Sequence, residues 1–433
     1  MSNATENDCP LSASLQSRNM LCFAGLWCLI YLTAPISYVG VTHANLLHDL
    51  GNRDTVANLP HGVYQWMTGF PVLVAWFLPQ PRLLRPLMVV SLAAKAVITA
   101  FVTAVLWFRL PAPVVTGSVV AFAAVFGAAN GVMITALWEV VRRGVSTGRR
   151  GKTLAFSFGI GPIWACVGSL IQQMLLSKEP LTGYTFGISF PNSYMALFAG
   201  AFPVTVVCIF LCAAFVVPLP VDEPVASSRV AEIIGGLRQF VTSKPVLLGT
   251  VAYVLVYSGG NAIFDNVSLH AKDVLGEASP DTVGLQNFLR FGFKAVAGGL
   301  LGWLLAKTNP KATLLATTAI LLAGMAWALN VSGWWYLLTA GLLGAGELFG
   351  VYFPNYVTTA SAKSHVRVNI AYLNLLGALV GFASVIFGQI SDRFGRMASF
   401  HTAAGVLAFA MLLIVVALPA RPLARETPAS DND

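Results

Sequence analysis

Apolar positions in this chain do not recur at the period of a half-buried strand or an amphipathic helix. They continue for twenty residues or more and stop at proline, glycine or charge. Twelve such runs can be counted. The first six are 19–42, 60–78, 87–108, 113–140, 153–175 and 193–218. The second six are 246–269, 282–306, 311–330, 333–358, 368–390 and 398–420. A helix of about 20 residues crosses the roughly 30 Å hydrocarbon core of a bilayer. Lipid offers no partners to backbone polar groups, so only helices or closed barrel strands can span it. These runs are about twice the length of barrel strands and lack alternation. The predicted fold class is an all-α polytopic membrane protein with 12 transmembrane helices.

Composition narrows this further. Only 10% of the 433 residues are charged and 56% are hydrophobic, whereas soluble domains are roughly 25% charged. That excludes a soluble enzyme, a disordered chain and a nucleic-acid-binding protein, despite the net charge of +8. The basic residues fall mostly in loops. With both termini inside, 17 lie on the inner side and 6 on the outer, which favours that orientation. Lys95, Arg290 and Lys294 remain within spans. The expected organisation is a cytoplasmic tail (1–18), a six-helix bundle (19–218), a central cytoplasmic loop (219–245), a second six-helix bundle (246–420) and a tail (421–433). Within the central loop, residues 228–240 read equally as a surface amphipathic helix or a solvated linker. The first 18 residues lack the basic flank of a cleavable signal, so the first run is expected to stay as a span. Cys22, Cys28, Cys166, Cys208 and Cys212 lie in apolar runs and Cys9 in the tail. They read as packing residues, and no metal or cofactor is expected. The chain has no Walker loop, Gly-x-Ser-x-Gly or His-Glu-x-x-His motif.

The halves echo each other. His43-Ala44 returns as His270-Ala271, Asp54-Thr55-Val56 as Asp281-Thr282-Val283 and Trp76 as Trp303, all at an offset of 227. Gly127-Ala128 returns as Gly344-Ala345 at an offset of 217. A parallel duplication of six helices places a solute site near the midplane between the halves. Twelve helices in two six-helix pseudo-repeat bundles, joined by a central loop and with both termini inside, resemble the major facilitator superfamily over about residues 19–420. The superfamily signature, Gly-x-x-x-Asp-Arg-x-Gly-Arg-Arg, is degraded where it belongs. Between helices two and three the chain reads Trp76-Phe-Leu-Pro-Gln-Pro-Arg-Leu-Leu-Arg-Pro86, and residues 299–311 between helices eight and nine also lack the acid. A fuller match, Gly388-Gln-Ile-Ser-Asp-Arg-Phe-Gly-Arg396, falls between helices eleven and twelve, on the outer side. It reads there as a polar turn. Gly159-x-Gly161-Pro162 is a partial match to the antiporter motif and carries little weight.

Charges at membrane depth need a partner or a wet cavity. Arg290 and Lys294 are four residues apart and share a helical face. Glu347 lies mid-span, and the resemblance implies that helices one, four, seven and ten line the cavity. Glu347 can then meet Arg290 or Lys294, as a proton-coupling carboxylate or as a fixed ion pair. Asp265 is the second coupling candidate. Gly259-Gly260 weakens helix seven beside Tyr257, Asn261 and Asp265, and a broken helix exposes backbone groups to solute. Glu139 with Arg142 and Arg143 is the gating candidate at the cytoplasmic mouth. His43, His270, His61, Tyr64 and Trp66 are candidates for an outer vestibule. Lys95 reads as snorkelling or paired, and Asn130 and Trp164 are weaker cavity candidates.

The expectation is a secondary active transporter moving a small polar or zwitterionic organic solute, coupled to protons or another ion. It is expected to be a monomer in a bacterial cytoplasmic (inner) membrane. The alternatives are an exporter of amphipathic compounds or lipids and, from another class, a non-transporting receptor or an intramembrane enzyme.

Overall fold

The computed structural model describes residues 11–77, 80–177, 184–218, 229–276, 281–362 and 365–422. Cys9, Lys178, Lys363, Arg425 and residues 219–228 of the central loop lie outside the described residues. Apart from short 3-10 turns, the regular structure among the described residues is α-helical. Passage one is interrupted: Ala13–Leu32, Ala34–Ser37 and Val41–Asp49. Passage two is Asp54–Met67 and Phe70–Phe77. Passages three to six are Leu84–Trp107, Ala112–Gly144, Thr147–Leu176 and Asn192–Ala213. A connecting helix, Arg229–Thr242, leads to passage seven, Lys244–Gly260 and Phe264–Leu275. Passages eight and nine are Val283–Lys307 and Pro310–Asn330. Passage ten contains Leu338–Gly346 and Phe349–Ala360, passage eleven Val366–Gly377 and Val380–Phe394, and passage twelve Arg396–Ala417. Passages three to twelve supply ten stretches long and apolar enough to cross a membrane. The chain is an integral, multi-pass membrane protein.

The apolar runs locate every passage, with one informative displacement. Helix begins at Ala13, inside the expected tail, because its polar residues are satisfied internally. Asn19 is fully buried and its Nδ2 donates to the carbonyls of Gly144 (3.1 Å) and Val216 (2.9 Å). The central-loop segment is also helical. Phe240 is buried and packs on Tyr372 of passage eleven, with ring centroids 5.2 Å apart. The exposed aromatics Trp107, Trp334 and Trp335 lie at helix ends away from the chain termini, as interfacial side chains do.

Helices in lipid gain little from hydrophobicity against one another, so small residues that let backbones touch become decisive. The repeated Gly-Ala pair serves this purpose twice. A Cβ on Gly127 of passage four would collide with the Tyr64 carbonyl of passage two. A Cβ on Gly344 of passage ten would collide with the Arg290 carbonyl of passage eight. Gly127→Val is therefore expected to overpack this contact at a cost of about 1–3 kcal/mol or more. Gly117→Val, which meets open space, is the control. Thermal unfolding of detergent-purified protein checks the pair, and equal melting temperatures would count against the contact.

Candidate functional site

Two helix breaks meet at the centre of the second half. Passage seven loses its helix after Gly260, and Asn261 caps the end. Passage ten loses its helix after Gly346, at Glu347. Gly260 and Gly346 both abut Leu321 of passage nine, so the same small residues act as packing notches. Asn261 Nδ2 donates to Glu347 Oε1 at 2.9 Å, joining the two breaks. The carboxylate also pairs with both basic residues of passage eight. Arg290 Nη2 contacts Oε1, and Lys294 Nζ lies 3.2 Å from Oε2.

This cluster is built into aromatic walls. The Arg290 guanidinium sits 4.4 Å from the Phe264 ring centroid and 5.9 Å from that of Tyr38. Lys294 Nζ also lies 5.9 Å from the Tyr38 ring. Tyr31 and Tyr38 stack at 6.3 Å, and Tyr38 meets Phe291 edge-on at 5.3 Å. Side-chain exposure is 4% for Glu347, 8% for Arg290 and 17% for Lys294, which makes Lys294 the most accessible member.

Asp265 does not join this cluster. It reaches across to passage two, where His61 Nδ1 lies 2.9 Å from Asp265 Oδ2. Gly40, at φ +154°, leaves the space: a Cβ there would sit 2.9 Å from Asp265 Oδ1. On the other side of the ring, Gln65 Nε2 lies 3.3 Å from His61 Nε2. Gln65 Nε2 also donates to the Tyr257 hydroxyl at 2.8 Å. One turn away, Lys95 Nζ donates to Asn130 Oδ1 (2.7 Å), and Asn130 Nδ2 donates to the Tyr64 hydroxyl (3.0 Å). Lys95 also lies 4.8 Å from the Phe126 ring, so it is buried against polar and aromatic neighbours and does not snorkel.

From His61 towards the loop end, the two halves of the chain are joined by a polar seam. Asn58 Nδ2 donates to Asn266 Oδ1 (2.7 Å) and Asn45 Nδ2 to the Ser268 hydroxyl (2.9 Å). Between passages five and eight, Asn287 Nδ2 donates to Gln172 Oε1 (2.9 Å), and the Leu285 amide donates to Gln173 Oε1 (2.7 Å). These contacts all lie away from the chain termini.

At the edge of this seam, the 388–396 turn does more than a polar turn requires. Asp392 accepts from the Asp54 amide (2.9 Å), the Thr55 amide (3.0 Å) and the Thr55 hydroxyl (2.5 Å). It thereby satisfies free amides at the N-terminus of a helix from the other half. Gly388 lets the backbones meet, since a Cβ there would be 2.7 Å from Thr55 Cα. Gly395, at φ +85°, makes the reversal into passage twelve. Arg396 then engages Asp54 through Nε and Nη2 (each 2.8 Å), Asp273 through Nη1 (2.6 Å) and His48 (3.0 Å).

The remaining candidates are placed differently. Glu139 pairs with Arg142 (2.6 Å) and Arg143 (2.7 Å) one turn on, within passage four. His43 is fully buried between Phe122 and Phe198, and so lines no open vestibule in this conformation. His270 contacts Asp273 at 3.1 Å and lies against Tyr336 and Phe400. Trp66 packs on Phe382 and against Gly381. Trp164 is exposed at the surface of passage five. Two apolar grooves, of about 290 and 350 Å³, lie along passages two, three, four and six, and no charged residue lines either. Among the described residues no His/Cys/Asp/Glu group could hold a metal ion.

Several members were not legible beforehand. His61 is a vestibule candidate from sequence and Asp265 a second coupling carboxylate beside the break in helix seven; the structure joins the two to each other. Gln65, Tyr31 and Tyr38 were not singled out. The signals available were the Asp54 repeat and the signature match at 388–396, whose partnership across 338 residues no local pattern reveals.

No family model matches the chain, and no curated protein matches it in sequence. Its fold does match solved structures. A D-xylose-proton symporter superposes with a TM-score of 0.69 at 14% identity, over 94% of this chain and 99% of that one. The POT family transporter PepTSo gives 0.67 at 11% identity, over 94% and 97%. A D323A mutant of the nucleoside transporter NupG gives 0.65 at 12% identity, over 94% and 100%.

Proposed function

We propose, for a chain with the major facilitator fold, that it is a secondary active transporter moving a small polar or zwitterionic organic solute by alternating access, with protons as the coupling ion. The observation that carries this is Glu347, one buried carboxylate shared by two basic side chains where the helices of passages seven and ten both break. Fixed ion pairs this deep are costly to keep without a use. Broken helices supply the polar backbone groups that solutes and ions engage. Proton symport is also the activity of the D-xylose neighbour, a proton symporter.

In this reading the two six-helix halves rock about the central cluster. With the termini cytoplasmic, as the loop charges indicate, the polar seam closes the outer side. Protonation of Glu347 frees Arg290 and Lys294, and His61–Asp265 is a second titratable pair at the inner margin of the seam. Glu139, Arg142 and Arg143 sit where a cytoplasmic gate would act. A monomer in a bacterial cytoplasmic membrane suits this reading.

The test is solute-dependent proton movement. Proteoliposomes loaded with a pH-sensitive dye are challenged with sugars, nucleosides, dipeptides, amino acids and organic acids under an imposed proton gradient. At least one class is expected to accelerate acidification of the lumen relative to protein-free vesicles. Solute entry without proton movement would remove the coupling, and no movement of any class would remove the transport reading.

A further inference from the structure

The charges around the central cluster do not balance, and the imbalance specifies a ligand. Passage eight contributes two cations and passage ten one carboxylate. Among the described residues, the other titratable groups that face the cluster are hydroxyls: Tyr31 and Tyr38 from passage one and Tyr257 from passage seven. Asp265 brings no compensation, because its carboxylate is turned to His61. The third interior cation, Lys95, is held by Asn130 on the far side of Tyr64. The cluster thus carries one positive charge in excess, at a depth where an uncompensated charge is expensive. A second observation points the same way. Arg290 is 7% exposed, and its Nε is buried without a hydrogen-bond partner.

We propose that the solute is a net organic anion, with a single carboxylate, sulfonate or phosphate group that takes Lys294 and the unpartnered Nε of Arg290. This rests on the transport reading above and narrows its solute class. Lys294, the most exposed member, meets the anionic group first. Two N–H donors converging on an oxyanion give strong, charge-assisted bonds. Tyr31, Tyr38, Phe264 and Phe291 then present ring faces and edges to the carbon body of the solute. A flat, unsaturated body fits such walls better than a polyhydroxylated one. When the solute anion arrives, it competes with Glu347 for the same two cations.

The test uses matched probes that differ only in charge: the carboxylic acid, primary amide and primary amine built on isobutyl, phenyl and naphthyl frames. Binding is read as a melting-temperature shift of the intact detergent-purified protein at fixed ionic strength, and flux is read in proteoliposomes. At least one acid is expected to stabilise the protein with an apparent affinity tenfold or more above its amide and amine. Lys294→Gln is expected to weaken that acid about tenfold, and Lys294→Arg to restore most of the loss. If the amide or amine of a frame binds as well as the acid, the anion assignment falls. It also falls if chloride alone reproduces the shift, or if no acid binds. The transport reading fails separately: acid binding without flux of any probe would sink transport and leave the anion site standing. Flux of amines but not acids would do the reverse.

Discussion

Asp392→Asn and Arg396→Glu are each expected to open the seam between the halves at the end away from the termini. Asp392 makes three hydrogen bonds to the start of passage two, two of them to helix amides. Hydrogen bonds to a charged group contribute about 1.5–3 kcal/mol each in net terms. Losing the charge while keeping the shape should therefore shift the closed–open equilibrium by roughly tenfold or more. Arg396→Glu adds repulsion with Asp54 and Asp273, which its guanidinium now bridges, so it should shift further. Arg396→Lys keeps the charge but loses the two-pronged contact with Asp54 and should shift least of the three. The measurement is a distance distribution between spin labels at Arg109→Cys and Trp335→Cys, two exposed positions at that end in opposite halves. A longer-distance population is expected to grow in the order Lys, Asn, Glu. Identical distributions in all three variants would show that the turn is a passive surface feature.

Glu347→Gln is expected to abolish gradient-driven accumulation while leaving solute exchange across the membrane in place. The amide still accepts from Asn261 but cannot carry a proton between conformations. Concentrative uptake should drop about 100-fold, an energy of about 2.7 kcal/mol. Equilibrium exchange should change far less. A folding cost follows as well, because Arg290 and Lys294 lose their shared counter-charge. Breaking a buried pair by removing one partner costs about 3–5 kcal/mol. Adding Lys294→Met to Glu347→Gln should recover much of the lost thermal stability and none of the coupling. Uptake under a proton gradient, counterflow and melting temperature separate these effects. Undiminished accumulation in Glu347→Gln would mean that the coupling proton is held elsewhere, with His61–Asp265 the next place to look.

The fold was readable because the bilayer imposes one strong rule, long apolar runs, and the chain obeys it almost everywhere. The rule weakens where buried polar residues are satisfied by neighbours, as with Asn19 in passage one. Arg290, Lys294 and Glu347 stood out for the same reason in reverse, since charge within an apolar run is rare. Pairing was harder to read. Asp265 reads from sequence as a second coupling carboxylate beside the helix-seven break, yet Phe264 turns its ring to Arg290 and Asp265 points the other way, to His61. The 388–396 turn was visible as a motif on the unexpected side, but its role depends on Asp54 and Thr55, far away in sequence. Glycine contacts were partly visible: the Gly127 and Gly344 repeat marked two equivalent helix crossings before either could be located.

The seam that closes one end is made of amides, hydroxyls and carboxylates. An oily seam of the same extent would expose hydrocarbon to water at every opening, at about 25 cal/mol per Å². Asparagine and glutamine pairs such as Asn58–Asn266 and Gln172–Asn287 can instead exchange one another for water with little net change. The two end states can then lie close in free energy, with neither becoming a trap. In such a balanced machine a few kcal/mol from one solute or one proton decides which way the molecule faces.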